Sequence, residues 1–317
     1  MKLSIMYRGP LTSCNYGCYY CPFSKRSESD ARLQRDKDSL RRFVEWIASQ
    51  DGIRWRLLFT PWGEALVRTW YRNALVELSH CSYVDSVAAQ TNLSCSIDWV
   101  KQCDLERVAF WATYHPTEAR RDGFVGKVIQ LRSWGVRLSV GMVAAPESLD
   151  HLAPLRAALP SDVYLWLNPQ SPRKRRYTDD ETKLFTEIDP LFPMALRRLR
   201  TRGKPCRTGE VAFTVDGEGD MRRCHFVDEV IGNIYKADWK ETLQPRNCPN
   251  QFCDCYLGVA QQQADDLASI FGDELMERVA AMGRPTAERF QGNHIWLGLG
   301  GEGATVGVIE AESLPSQ

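Results

Sequence analysis

From residue 2 to about 168 the chain alternates short strand-like runs with stretches that repeat apolar residues at helical spacing, and this alternation limits what it can fold into. The strand-like runs are 2–8 (KLSIMYR), 54–59 (RWRLLF), 83–89 (YVDSVAA), 106–113 (ERVAFWAT), 136–144 (VRLSVGMVA) and 162–167 (DVYLWL). Over 39–49, Leu40, Phe43, Val44 and Ile47 fall on one helical face. Phe124, Val128 and Leu131 do the same over 124–134, where Gly135 is placed to cap. Shorter helical patterns fill 67–80 and 147–159. Strands that alternate with helices form parallel βαβ units with right-handed crossovers. Six such units are too few to close an eight-fold barrel. The expected fold class is therefore α/β, a partial (β/α)6 TIM-like barrel over residues 1–170. In such barrels the loops after the strands' C-terminal ends carry the chemistry.

The pattern breaks after residue 170. Residues 171–205 read as a basic linker or helix, with ten Lys/Arg against five Asp/Glu over 173–204. That run is either a solvated face or a landing strip for an acidic substrate or peptide. Residues 206–282 form a cysteine-rich extension with a strand-like VAFTV, a turn-like DGEGD and a helix expected over 264–280 from Leu267, Phe271, Leu275 and Val279. The tail, 283–317, is glycine-rich, and its GLGGEG lacks the strand-then-helix context of a dinucleotide loop. With 44% hydrophobic and 25% charged residues and a formal net charge of zero, nothing global points to nucleic acid or membrane binding. No run approaches the roughly 20 apolar residues of a membrane helix. MKLSIMYRGP is not a signal peptide. Eleven cysteines, an odd number without an export signal, read as ligands rather than disulfides and make the cytoplasm the expected location.

The cysteines fall in two groups. Cys14, Cys18 and Cys21 lie within eight positions, directly after the first strand. A structural zinc site takes four protein ligands in a closed tetrahedron, and no fourth cysteine or histidine is close in sequence. Three thiolates suit three irons of a [4Fe–4S] cluster, leaving one iron without a side chain. Zinc also takes soft thiolates. The second group is Cys206, then Gly219 to Cys224 in a G-x4-C hairpin pattern, Gly232-Asn233, and Cys248, Cys253 and Cys255. It suits either an iron–sulfur cluster or a zinc knuckle. Cys81, Cys95 and Cys103 read as small buried hydrophobes.

The C-x3-C-x-aromatic-C pattern, with Tyr20 at the aromatic position, resembles the signature of radical S-adenosylmethionine (SAM) enzymes. The resemblance extends over residues 2–168 and implies a SAM-binding [4Fe–4S] cluster on Cys14, Cys18 and Cys21. Gly63-Glu64, directly after the second strand, corresponds to a pair whose backbone binds the methionine amino group. Thr113-Tyr114-His115-Pro116 stands where many relatives have Ser-x-Asp, so a hydroxyl is kept and the acid is replaced by an imidazole. Arg120 or Arg121 is implied for the methionine carboxylate and Gly141 for the adenine-contact strand. Tyr20 either contacts adenine or packs the loop, and Thr91-Asn92 either binds cofactor or is a capped turn. His115 is a site residue or a core histidine, and Asn168 is a substrate-contact candidate.

The implied chemistry is reductive cleavage of SAM to methionine and a 5′-deoxyadenosyl radical that takes a hydrogen atom from a substrate C–H bond. The second group resembles the auxiliary-cluster extension of this family, SPASM or its shortened form, twitch. Five cysteines suffice for one further [4Fe–4S] cluster with a thiol to spare. Cys206 and Cys224 would be two ligands and two of Cys248, Cys253 and Cys255 the others, the spare being a proton donor or inert. The implied partners are a peptide, as for many maturases, or a small polar molecule, as for an aminocyclitol dehydrogenase, together with an electron donor such as flavodoxin or ferredoxin. The first strand starts at the N-terminus and leaves no room for a leader-recognition domain, which weakens the peptide version. From another class, the alternative is a non-catalytic zinc protein whose basic stretch contacts RNA or a partner.

Overall fold

The computed structural model describes residues 1–22, 27–145, 148–170, 177–253, 255–262 and 267–280. Six strands follow one another in space as in sequence: β1 (Lys2–Arg8), β2 (Arg54–Phe59), β3 (Val84–Thr91), β4 (Val108–Tyr114), β5 (Arg137–Ala144) and β6 (Leu165–Pro169). Every neighbouring pair among them is parallel. The helices are α1 (Asp30–Ala48), α2 (Thr69–His80), α3 (Arg121–Ser133), α4 (Leu149–Ala158) and α5 (Asp179–Ile188); between β3 and β4 a 3-10 turn (Asp98–Gln102) stands in for one. Helix α1 begins well before the apolar face that reveals it. Ser29 caps it by accepting from the Arg32 N–H, and its first turns are mostly polar and exposed.

Side chains alternate along each strand. Ile5 and Tyr7, Leu57 and Phe59, Phe110 and Ala112, Val140 and Met142 pack with Leu40, Phe43 and Val128 into one core beneath the helices. The other set, Arg8, Thr60, Gln90, Trp111, Thr113, Gly141, Trp166 and Asn168, therefore faces the inside of the partial barrel.

The sheet does not stop at six strands. After α6 (Phe192–Ala195) come two short strands, β7 (Leu199–Arg200) and β8 (Pro205–Cys206), and then β9 (Ala212–Asp216), β10 (Asp220–Arg222) and β11 (Val230–Asn233). Strand β9 pairs parallel with β1, and β10 and β11 follow antiparallel, giving nine strands among the described residues in the order β11-β10-β9-β1-β2-β3-β4-β5-β6. The cysteine-rich segment is thus built onto the edge beside the first cysteine loop. Its remaining strands, β12 (Arg246–Asn247) and β13 (Phe252–Cys253), pair with β8 and β7, and α7 (Tyr256–Val259) and α8 (Ala268–Phe271) follow.

The long helix expected over 264–280 is not formed within 267–280. Helix α8 ends at Gly272, whose φ of +52° turns the chain away. Leu267, Phe271 and Leu275 are all buried, so their spacing records burial against the sheet rather than a helix. The segment crosses the inner face near the strands' N-terminal ends. Asp273 pairs with Arg56 and Lys2, Glu274 pairs with Arg137, and Glu277 accepts from Ser86 at 2.6 Å. The expected basic run at 171–176 and the tail at 283–317 lie outside the described residues.

Gly141 has a packing reason. A Cβ there would lie 2.0 Å from Cζ2 of Trp166, whose ring fills the space a side chain would need. Gly141→Ala should lower stability by about 1–3 kcal/mol through overpacking. Urea unfolding measures this, and an unchanged midpoint would show that the ring moves aside freely.

Candidate functional site: two groups of thiols at the barrel mouth

Three anchors hold the loop after β1. Leu11 N–H donates to Asp36 at 3.1 Å, and the Glu28 carboxylate accepts from the backbone and hydroxyls of Thr12 and Ser13 at 2.6–3.0 Å. Burial pushes the Glu28 carboxyl up, but these bonds outweigh it and hold the pKa below its ordinary value. The third anchor comes from the bend after β2, where Glu64 N–H donates to Ser13 O at 3.0 Å. A Cβ on Gly63 would sit 1.9 Å from that same oxygen, so only glycine permits this approach.

Glu64 is buried, and its side chain ties the β2 bend to the end of β3. One oxygen accepts from Thr91 Oγ1 at 2.7 Å and Leu66 N–H at 3.0 Å, the other from Asn92 N–H at 2.7 Å. Burial raises its pKa against these donors. Asn92 then reaches the cysteine loop, donating to Asn15 Oδ1 at 3.1 Å and lying 3.8 Å from Cys14 Sγ. The next residue, Leu93, holds a left-handed φ of +52°, strain that a tightly built site can sustain.

Cys18 and Tyr20 are buried together with Ala145, and Cys21 and Val143 pack against them. Tyr20 OH lies 2.9 Å from Nδ1 of His115, just beyond β4, and the two rings stack at 5.9 Å. Cys18 Sγ is 3.4 Å from the same nitrogen. Burial lowers the His115 pKa to about 4, which favours the neutral ring. Burial also raises the Cys14 thiol and, with help from Glu118, raises Cys18 to about 11. A cation at the loop would reverse that preference and draw both thiols into their thiolate form.

Thr113 is half-buried on the inner face, opposite Gly141. Asn168 is exposed at the mouth end of β6. Arg120 and Arg121 are exposed at the start of α3, where Arg121 pairs with Asp122 at 3.4 Å. Sequence reasoning missed Arg8, Thr60 and Gln90. Arg8 Nε donates to Thr60 O at 2.9 Å, the guanidinium lies 4.2 Å over Trp62, and Thr60 Oγ1 donates to Gln90 at 2.5 Å. Counting by twos to each strand's last residue would have found this polar rung.

The second group surrounds a cavity of about 200 Å³ lined by Cys206, Cys224, Cys248 and Cys253. Cys206 Sγ lies 3.2 Å from Thr208 Oγ1 and accepts from Gln262 Nε2 at 3.4 Å, and Cys248 Sγ lies 3.5 Å from Thr201 Oγ1. Burial and repulsion from neighbouring thiols raise Cys224 to about 11 and Cys253 to about 12. Cys255 does not line this cavity; it precedes α7, half-buried. Among the described residues no three His, Cys, Asp or Glu side chains converge as a single-ion site. The four thiols ring a space instead. Cys103 is buried, and Cys81 and Cys95 pack half-buried against the main core.

No family model matches the sequence, and no curated protein is similar to it. Solved structures are. His-tagged anSMEcpe with bound AdoMet aligns at a TM-score of 0.52 and 15% identity, over 77% of this chain and 81% of that one. Native anSMEcpe with bound AdoMet and Kp18Cys peptide aligns at 0.53 and 13%, over the same shares, 77% and 81%. BtrN in complex with AdoMet and 2-DOIA aligns at 0.39 and 16%, over 77% and 87%. The chain shares the fold of the two anSMEcpe structures, a partial TIM-like barrel. In this chain that fold brings the Gly63-Glu64 bend against the residue preceding Cys14.

Glu64→Ala should lower stability by about 2–4 kcal/mol, since it strands Thr91, Asn92 N–H and Leu66 N–H without an acceptor. Glu64→Gln keeps one acceptor oxygen and should cost about half as much. Denaturant titration of both variants ranks them, and equal, small losses would contradict the carboxylate's role.

Proposed function

We propose that the protein is a radical SAM enzyme. Cys14, Cys18 and Cys21 hold a [4Fe–4S] cluster, and SAM lies over the barrel mouth. When bound, cluster and SAM supply a one-electron cleavage that yields a hydrogen-abstracting carbon radical. The observation that carries this reading is the contact between the Gly63-Glu64 bend and Ser13, which sets the bend beside a three-thiol loop. The donor set suits the cluster, because three thiols on one loop leave one iron for a small chelate. The loop's buried thiols stay neutral until a cation arrives. Thr91 and Asn92 act by fixing Glu64, and Thr113 and Asn168 offer polar groups toward the mouth. The bond from Tyr20 to His115 favours loop packing as its task.

The rival zinc reading needs His115 Nδ1 as the fourth ligand. That nitrogen is engaged by Tyr20 OH, which disfavours it.

For the auxiliary cluster we assign Cys206, Cys224, Cys248 and Cys253, the four that line one cavity, and leave Cys255 as the spare thiol. The auxiliary cluster then takes part in oxidation or in substrate binding, in an oxidoreductase or maturase whose substrate is a peptide or a small polar molecule. The electron donor is of the flavodoxin or ferredoxin kind and the location cytoplasmic; no helix among the described residues is long and apolar enough to cross a membrane.

Anaerobically purified protein reduced with dithionite should form 5′-deoxyadenosine from SAM, and replacing Cys14, Cys18 and Cys21 with Ala should abolish it. Product from the triple variant would sink the assignment. Iron analysis tests the second site. Wild type and Cys255→Ala should each carry about eight irons, and Ala at Cys206, Cys224, Cys248 or Cys253 should leave about four. A colourless protein holding zinc would favour the rival.

A further inference from the structure

The turn from β7 to β8 is a strongly cationic surface. Arg197, Arg198, Arg200, Arg202 and Lys204 are all exposed, and no Asp or Glu stands between Asp189 and Glu210. The strands paired with this turn, 246–253, add no carboxylate before Asp254. Asp228 and Glu229 are exposed as well, but they precede β11 at the far edge of the large sheet. Other cations of the extension are spent inside it. Arg223 donates to the carbonyls of Arg246 and Asn247, and Arg246 donates to that of Gly209.

This turn is bonded directly to the second group of thiols. In the register of β7 with β13, Leu199 is paired with Cys253 and Arg200 with Phe252. Gly203 N–H donates to Cys248 O at 2.9 Å, and Cys248 N–H donates to Lys204 O at 2.9 Å. Between them, Thr201 Oγ1 lies 3.5 Å from Cys248 Sγ and donates to Asn250 O at 3.1 Å. Gly203 holds a φ of +76°, the left-handed conformation that closes the turn without strain. The cations are therefore held within a few residues of two thiols that line the second cavity.

Aromatic side chains continue the same surface. Arg198 and Arg200 alternate onto one face of β7, and the Arg198 guanidinium lies 4.6 Å over Phe252. Phe252 and Phe226 both line the cavity of the four thiols, and Phe226 is 54% exposed, so the cavity reaches the surface at this rim. Asn250 Nδ2 fixes the Phe226 backbone by donating to its carbonyl at 2.7 Å. Exposed aromatics among arginines are the usual anchors of a protein interface.

We propose that the β7–β8 turn, with Phe226 and Phe252, is the docking surface for a small acidic one-electron carrier protein. Charge complementarity selects an acidic partner and steers its approach. The bonds to Cys248 and Cys253 favour a redox partner over an acidic peptide substrate, because the surface adjoins the second group of thiols rather than the three-cysteine loop. The proposal rests on the second cluster of the proposed function for the partner's task, though not for the docking itself.

Surface plasmon resonance on the full, anaerobically prepared holoprotein tests it, with an acidic flavodoxin, an acidic [2Fe–2S] ferredoxin and a poly-glutamate peptide as probes. At least one carrier should bind, more weakly as salt rises. Arg200→Glu, Arg202→Glu and Lys204→Glu should each weaken it, and the triple variant should slow association about tenfold or more. Lys37→Glu, the same charge change on α1, should leave binding unchanged. Iron content and dithionite-driven formation of 5′-deoxyadenosine should be unaltered in every variant, since dithionite needs no docking. If Arg200→Glu loses iron through misfolding, Arg202 and Lys204 in the exposed turn carry the test. No binding of either carrier at low salt, or binding indifferent to the reversals, overturns the proposal. So does poly-glutamate that binds as tightly as the carriers with the same loss in the variants, since the turn would then serve acidic peptides. Carrier binding through these residues in a protein that holds no iron would keep the docking surface and remove the radical SAM reading.

Discussion

The short contact between Gly63-Glu64 and Ser13 is the constraint on which the site depends. It holds three loops at once, because the same glutamate whose N–H meets Ser13 O also receives Thr91 and Asn92 from the end of β3. Loops at a barrel mouth are otherwise the least restrained part of the fold. Here a buried carboxylate supplies the acceptors that three orphan donors require, and the missing Cβ of Gly63 allows the backbones to touch. The position of Cys14 relative to the β2 bend is thereby fixed by hydrogen bonds and the close backbone approach.

The inner face of the barrel is divided along its depth. Near the strands' N-terminal ends the cations Lys2, Arg56 and Arg137 are neutralised by Asp273 and Glu274 of the C-terminal segment, which packs across them. Toward the mouth the polar rung of Arg8, Thr60 and Gln90 has no such cover among the described residues. One end of the interior is thus closed by ion pairs and the other left uncovered among the described residues, the division expected of a barrel that works at its C-terminal end. Because β9 pairs with β1, the sheet that carries the first thiol loop also carries the β9-β10 hairpin that leads to Cys224, while Cys206 and Cys253 lie on the separate short sheets β12-β8 and β13-β7.

Much of this was legible in the sequence, and what was not has physical causes. The six strands were visible because their helix-facing residues are uniformly apolar, and the three-cysteine loop because its spacing is short. Helix α1 was read too short because its first turns bury little. The helix expected at 264–280 failed because burial of Leu267, Phe271 and Leu275 against a sheet imitates helical spacing. The role offered to Gly141 met a competing explanation in Trp166, a contact between strands that one sequence cannot reveal. Which of Cys248, Cys253 and Cys255 line a common cavity likewise needed three dimensions, since neighbours on one short segment part company at the start of α7. Arg8 was overlooked because a lone arginine at a strand end looks like any surface cation until its bond to Thr60 and its place over Trp62 on the inner face are seen.

The central claim is that one iron of the first cluster has no protein ligand and accepts SAM. Electron paramagnetic resonance of the dithionite-reduced protein, recorded with and without SAM, tests this directly. The account predicts that SAM changes the g values of one cluster signal and leaves the other unaltered. A spectrum that is identical with and without SAM, in protein that carries its full iron content, would contradict it.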